Sequence, residues 1–140
     1  MGYLAGENAA GGDLEFPGVL GSAITKFGAP QIGRVGLTER EARERGLRIT
    51  SQRIAVRTRA HYYPGLKEIH LKLIATQEDD RLLGAQLLGY EGVWGRLNVL
   101  AMAIASGMTA RQLFLSDLAY APPFGPVRGP IIVGARVLLR

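Results

Sequence analysis

The amino-acid sequence predicts an α+β fold, an antiparallel sheet with helices packed on it, and three observations carry that expectation. A helix signal at residues 37–45 precedes three strand-like segments between Gln52 and Tyr90. The second and third of these are joined by the polar turn Glu78-Asp79-Asp80, which makes them a hairpin and the sheet antiparallel. Helical periodicity then takes over from Val93 to the C-terminus. Helix, strands, then helices is not the βαβ alternation of a parallel nucleotide-binding sheet.

Each element has a local cause. Residues 1–30 are rich in Gly and Ala, show no period, and contain the breakers Gly11-Gly12 and Phe16-Pro17-Gly18, so they read as a short helix followed by loop. Thr38 and Glu41 have the spacing of a capping box, which opens a helix that runs to Arg45 and stops at Gly46 in a left-handed C′ position. The first strand, 52–61, alternates Ile54, Val56, Thr58 and Ala60 with Arg53, Ala55, Arg57, Arg59 and His61, giving one apolar and one basic face. The second, 68–76, alternates Ile69, Leu71, Leu73 and Ala75 with His70 and Lys72, and the third covers 82–90.

Val93, Leu97, Leu100, Ala101, Ile104 and Met108 make one apolar helical face over 93–106, with Trp94 assigned to core packing and Gly107 as the stop. Thr109 and Gln112 repeat the capping-box pattern and open a short helix carrying Leu113 and Leu115. Pro130 suits a first helical position, and the helix it starts is apolar on nearly every side through Leu139, so a second subunit is expected to bury it.

Composition narrows the function. The 140 residues, 47% apolar and 21% charged, make one globular domain. With no cysteine the chain has no disulfide, thiolate metal site or thiol nucleophile. The net charge of +5 is dispersed from Lys26 to Arg140 instead of forming a block, so no nucleic-acid partner is expected. The apolar run 99–105 is far short of the ~20 residues of a membrane span, and no secretory signal is read, so the expected setting is the cytoplasm. Dinucleotide, phosphate-loop, metalloprotease and nucleophile-elbow motifs are all missing. His61 and His70 are lone histidines on predicted strands with no third ligand at metal-site spacing, and the acidic pairs Glu39/Glu41 and Asp79/Asp80 read as solvated.

Four segments carry a resemblance: Gly18-Val-Leu-Gly-Ser-Ala-Ile-Thr-Lys26, Val35-Gly-Leu-Thr-Glu-Arg-Glu-Ala42, His61-Tyr-Tyr-Pro-Gly65 and Asp117-Leu-Ala-Tyr-Ala-Pro-Pro-Phe124. Together they resemble the C-terminal dimerisation domain of the pyridine-nucleotide-disulfide oxidoreductases, in the branch of the coenzyme A-disulfide reductases and NADH oxidases. Residues 1–12, with Leu4-Ala-Gly-Glu-Asn-Ala-Ala-Gly11, are similar to the helix that closes the flavin domain of such enzymes. The resemblance implies a remnant of that flavin domain and its connecting loop at 1–28 and a dimerisation domain at 29–140. It also implies that FAD and NAD(P)H belong to the complete parent enzyme, with no cofactor and no activity expected on this chain alone. Tyr-Ala-Pro-Pro stands where the lipoamide and glutathione reductase branch carries its His-Pro base. The chain departs from the family pattern at Gly129, usually Asp, and at Gly134, commonly Ala.

The site residues follow from this reading. Tyr120 is a neutral phenol able to donate a hydrogen bond to a sulfur leaving as thiolate, or else a turn aromatic ahead of two prolines. Tyr62 and Tyr63 are consecutive, so they point apart and one reaches a given site, with Tyr62 favoured. Arg53, Arg57, Arg59 and His61 form a basic strand face suited to the phosphates of coenzyme A or a dinucleotide, or else to water. Pro122, Pro123 and Phe124, with Ile131, Ile132, Ala135 and Leu138, are the expected interface of a homodimer. The alternative reading is a free-standing binding or scaffold module, or a truncated product without catalysis.

Overall fold

A computed structural model describes all residues 1–140 of the chain. Its elements are α1 (Gly2–Ala9), β1 (Ala23–Lys26), β2 (Gln31–Gly36), α2 (Glu39–Glu44), β3 (Ile49–Arg57), β4 (Glu68–Thr76), β5 (Leu82–Gly89), α3 (Val93–Ala105), α4 (Ala110–Phe114) and α5 (Pro130–Leu138). The five strands form one sheet in the order β1-β2-β5-β4-β3, and every neighbouring pair is antiparallel. The α+β expectation holds, with β4 and β5 at the residues anticipated for the hairpin, apart from Tyr90 at its end.

The core lies between one face of the sheet and two helices. Ile69, Leu71 and Leu73 of β4, with Leu82, Ala85 and Leu87 of β5, are buried under Val93, Leu97, Leu100 and Ala103 of α3 and Ile131, Ala135 and Leu138 of α5. α3 packs on β2 and β5, α5 on β3 and β4, and α4 braces α5. Each aliphatic side chain so covered contributes roughly 1.5–3 kcal/mol.

Four sequence expectations change here. Ile131, Ala135 and Leu138 were expected at a dimer interface, but the chain's own sheet buries them, because β3 and β4 offer an apolar surface that α5 fits. Gly134 makes that fit possible: a Cβ at this position would stand 2.8 Å from Leu71 Cδ2 and 3.1 Å from Leu73 Cδ1. Trp94 is not a core residue; it is 67% exposed on the outer side of α3. The loop expected up to Pro30 contains β1 and runs into β2 from Gln31, which the pattern hides because β1 is exposed along its length and Gly33 and Gly36 interrupt β2. Gly33 again marks a close approach, since a Cβ there would lie 2.9 Å from Leu97 Cδ2 of α3.

The fourth change is the end of the first predicted strand, which stops at Arg57 instead of His61. Just beyond it the Thr58 N–H makes a last backbone bond to the Lys67 carbonyl at 2.9 Å, while the Thr58 side chain accepts the Lys67 N–H at 3.1 Å and donates to Glu91. Arg59 and His61 are therefore not strand residues.

Both capping boxes form. Thr38 Oγ1 accepts the Glu41 N–H at 3.2 Å while Glu41 accepts the Thr38 N–H at 2.7 Å, and Thr109 and Gln112 do the same at 3.1 and 2.9 Å. The acidic pair of α2 is more engaged than a solvated face: Glu41 also receives Arg34 at 3.1 Å, and Glu39 receives Lys72 and Ser51. No helix is long and apolar enough to cross a membrane.

The Thr38 backbone bond, then the Thr38 hydroxyl and the Arg34 guanidinium, pull the Glu41 carboxyl down to about 2. A lowered carboxyl stabilises the fold above its unfolded value of 4.5, and that contribution disappears as pH falls from there toward 2. Replacing Glu41 with Gln keeps the cap, as Gln112 shows in α4, but removes the titration. Thermal melts at pH 7 and pH 3 are expected to differ less for Glu41→Gln than for the parent chain.

Candidate functional site

Two segments meet at one end of the sheet, residues 58–67 after β3 and residues 115–129 between α4 and α5. The Ala60 N–H donates to the Pro122 carbonyl at 3.3 Å and ties them together. That junction brings Tyr62 and Tyr120 to one cleft of about 550 Å³, with Arg57, Arg59, His61 and Arg128 around it and Val56, Pro126, Val127 and Val133 as its apolar wall. The neighbouring Tyr62 phenol, then burial, holds the Tyr120 phenol above its ordinary value of 10.0. Both tyrosines remain open to solvent, Tyr120 at 45% exposure and Tyr62 at 65%.

The remaining expected residues divide. Tyr63 turns away, with its ring 6.0 Å from the Arg59 guanidinium. His61 stands edge-on to Tyr62 with ring centroids 5.3 Å apart. Arg57 is exposed at the strand end and borders the cleft. Arg59 borders it too but is committed to Glu91, donating from Nη2 at 2.6 Å and from Nε at 3.0 Å. Burial pushes the Glu91 carboxyl up, yet the bonds from Arg59 and Thr58 outweigh it and leave that carboxyl below its ordinary value.

Arg53 does not belong to this cleft. It lies in a separate trough on the sheet face away from α3 and α5, with Arg34, His70 and Lys72. The basic face inferred from alternation is thus split by the end of β3, one arginine facing the trough and Arg57 the tyrosines. Pro122 and Pro123 are half-buried and Phe124 is fully out in solvent. Ile132 is half-buried beside a second cleft of about 490 Å³, on the α3 side of Tyr120, which Gly95, Arg96, Val99 and Phe124 also line.

Arg128, Glu91 and Arg96 were not anticipated. Arg128 sits in an irregular segment, Glu91 in a turn, and Arg96 inside an apolar helix, so no period exposes their convergence. Phenols and guanidiniums bind, orient and stabilise negative charge, whereas carrying electrons needs a cofactor or metal. All strand pairs are antiparallel, so these residues do not build the βαβ cradle that holds a dinucleotide.

The architecture is thus an antiparallel sheet covered on one face by two helices, with two tyrosines at one end. Residues 22–129 match the family model described as pyridine nucleotide-disulphide oxidoreductase, dimerisation domain, and the chain belongs to that family. It is 51% identical over 99% of its length to the NAD(P)H sulfur oxidoreductase (CoA-dependent) of Pyrococcus furiosus and 50% identical over the same share to the NAD(P)H coenzyme A polysulfide/persulfide reductase of Pyrococcus horikoshii. It spans 31% of the length of each of these relatives. The solved NAD-dependent persulfide reductase from A. fulgidus superposes with a TM-score of 0.96 at 42% identity, over 99% of this chain and 26% of that one. The family match begins at residue 22, one residue before β1, so the sheet starts ahead of the boundary at 28 that the sequence suggested.

If the phenol pair sets the Tyr120 value, Tyr62→Phe lowers the Tyr120 titration midpoint toward 10.0. Titration of tyrosine labelled with carbon-13 at Cζ, followed by NMR, reads this directly; an unmoved midpoint removes the pair from the site.

Proposed function

We propose that this chain dimerises a flavin-dependent NAD(P)H reductase of coenzyme A disulfides or persulfides, and that it lends Tyr120 and Tyr62 to the flavin site of the partner subunit. The observation that carries this is the meeting of two phenols and two uncommitted arginines, Arg57 and Arg128, in one open cleft. Coenzyme A is a phosphate-rich anion, and guanidiniums are suited to it. The Pyrococcus relatives, a CoA-dependent sulfur oxidoreductase and a coenzyme A polysulfide/persulfide reductase, point to the same substrate class.

In this reading FAD and NAD(P)H are held by the part of the parent that this chain does not span, and the reductant fits a cytoplasmic enzyme. What these residues contribute is positional. A phenol whose midpoint is raised stays neutral and protonated at pH 7, so Tyr120 can give a hydrogen bond to sulfur as a disulfide bond breaks and negative charge gathers there. Ala121-Pro122-Pro123 directly after it limits where the hydroxyl points, because proline fixes φ and restrains the residue before it. Residues 1–21, ahead of the sheet, fit the end of a flavin domain and its connection: α1 buries none of its residues, and Tyr3, Phe16 and Val19 are exposed.

Removing one pre-positioned donor costs ~2–4 kcal/mol in the transition state. Tyr120→Phe in the full-length reductase is therefore expected to slow disulfide reduction by roughly one to three orders of magnitude with dimer and flavin content unchanged. Normal turnover of a large disulfide by the Phe variant would demote Tyr120 to packing.

With Ile131, Ala135 and Leu138 of α5 buried by the sheet, α3 offers a further candidate for the dimer face. Its outer side carries Trp94, Val99 and Met102, all exposed, it has no carboxylate, and its one charge, Arg96, is turned inward. Aromatic and Met enrichment with charge depletion marks the core of an interface. Met102→Glu is expected to weaken self-association about tenfold or more by light scattering or sedimentation without changing the far-ultraviolet spectrum. A wild-type chain that stays monomeric at micromolar concentration overturns the dimer reading.

A further inference from the structure

We infer that Arg96 is a positioning residue that locks the Tyr62 and Tyr120 segments into one frame. From inside α3 its guanidinium reaches three backbone carbonyls that belong to three different stretches of chain. Nη1 donates to Gly92 at 2.9 Å, and Nη2 donates to Thr58 at 3.1 Å and to Phe124 at 3.3 Å. Thr58 opens the segment that carries Tyr62, and Phe124 closes the Tyr-Ala-Pro-Pro-Phe segment that carries Tyr120. A planar fork with five donors can serve separated acceptors at fixed angles; a lysine at the same place is a point donor on a flexible stem.

The surroundings are built to admit this fork. Gly92 has φ +69°, and a Cβ on it would overlap Arg96 Nη1, so only glycine leaves room for the guanidinium where it lies. Glu91, one residue earlier, holds Arg59 through both carboxylate oxygens and receives the Thr58 hydroxyl, so it fixes the same segment from its side-chain face while Arg96 fixes it from the backbone. The Ala60 N–H to the Pro122 carbonyl then closes the junction. These contacts hold the two tyrosine-bearing segments together at several points; without Arg96 the backbone hydrogen bond left between them is the one at 3.3 Å.

The positioning role stands on this geometry, and its catalytic consequence rests on the function proposed above. The test uses this 140-residue chain with tyrosine labelled at Cζ, and the variants Arg96→Met, Arg96→Lys and Gly92→Ala. Expected in each folded variant is a fall of the Tyr120 midpoint toward the free-phenol value, as in Tyr62→Phe, together with hydrogen exchange at the Ala60 amide faster by about tenfold or more. Direction matters: if Arg96 acted only through its charge, removing that charge would raise a phenol midpoint, and Arg96→Lys would match wild type. Either of those results, or an unmoved midpoint and unchanged exchange in Arg96→Lys and Gly92→Ala, overturns the inference. Should Arg96→Met fail to fold, those two variants decide.

In the full-length reductase, Arg96→Lys is expected to lower turnover by about the factor that Tyr120→Phe does. If Tyr120→Phe proves fully active while the midpoint and exchange shifts appear as stated, the catalytic reading fails and the positioning role of Arg96 survives.

Discussion

The arrangement depends on one face of β4 and β5 being covered twice, by α3 at one side and α5 at the other. Both helices approach closely because glycine removes a side chain at the contact, Gly33 beneath Leu97 and Gly134 above Leu71. Packing of that density has little tolerance for added volume. It also dictates what remains free: α5 buries Ile131, Ala135 and Leu138 and leaves Ile132, Val133 and Val137 half-covered, while α3 buries one side and leaves Trp94 and Met102 outside. The surface available for a second subunit is thus a consequence of how the sheet was covered.

Much of the fold was legible because it rests on local rules. The strict alternation of Ile69, Leu71 and Leu73, the two Thr-x-x-Glu/Gln capping boxes and Pro130 at the start of α5 each report a structure formed by neighbours in sequence. β1 and β2 were not legible, since an exposed edge strand has no apolar face to show and glycines at contact points look like breakers. The premature end of β3 was hidden too, as Thr58 and Ala60 keep the parity of a strand and are buried, although past Thr58 the backbone turns to Pro122 instead of a neighbouring strand.

Of the residues lining the cleft, the tyrosines came from the family resemblance and Arg57, Arg59 and His61 from the alternation of the first strand, while Arg128 showed in neither. The Arg59–Glu91 pair joins residues 32 apart, and Arg96 joins segments 38 and 28 residues away, separations at which periodicity carries no information. An arginine in an apolar helix and an acid in a turn both read as surface charges until the backbone carbonyls that surround them are known. Alternation likewise suggested one basic face where there are two separate surfaces, because it cannot tell where a strand stops.

The position of Tyr120 connects assembly to chemistry. It stands between two clefts, one shared with Tyr62 and the arginines, the other with Val99 and Arg96 of α3. The exposed side of α3 and the phenol are joined through Arg96, which reaches from the helix to both tyrosine segments. A partner seated on α3 would press against the same 115–129 segment that aims Tyr120, so binding there and orientation of the phenol share a mechanical element. In the function proposed above, α3 is the face sought by the partner and Tyr120 the hydroxyl presented to it; what links the two in the structure is one helix, one guanidinium and three carbonyls.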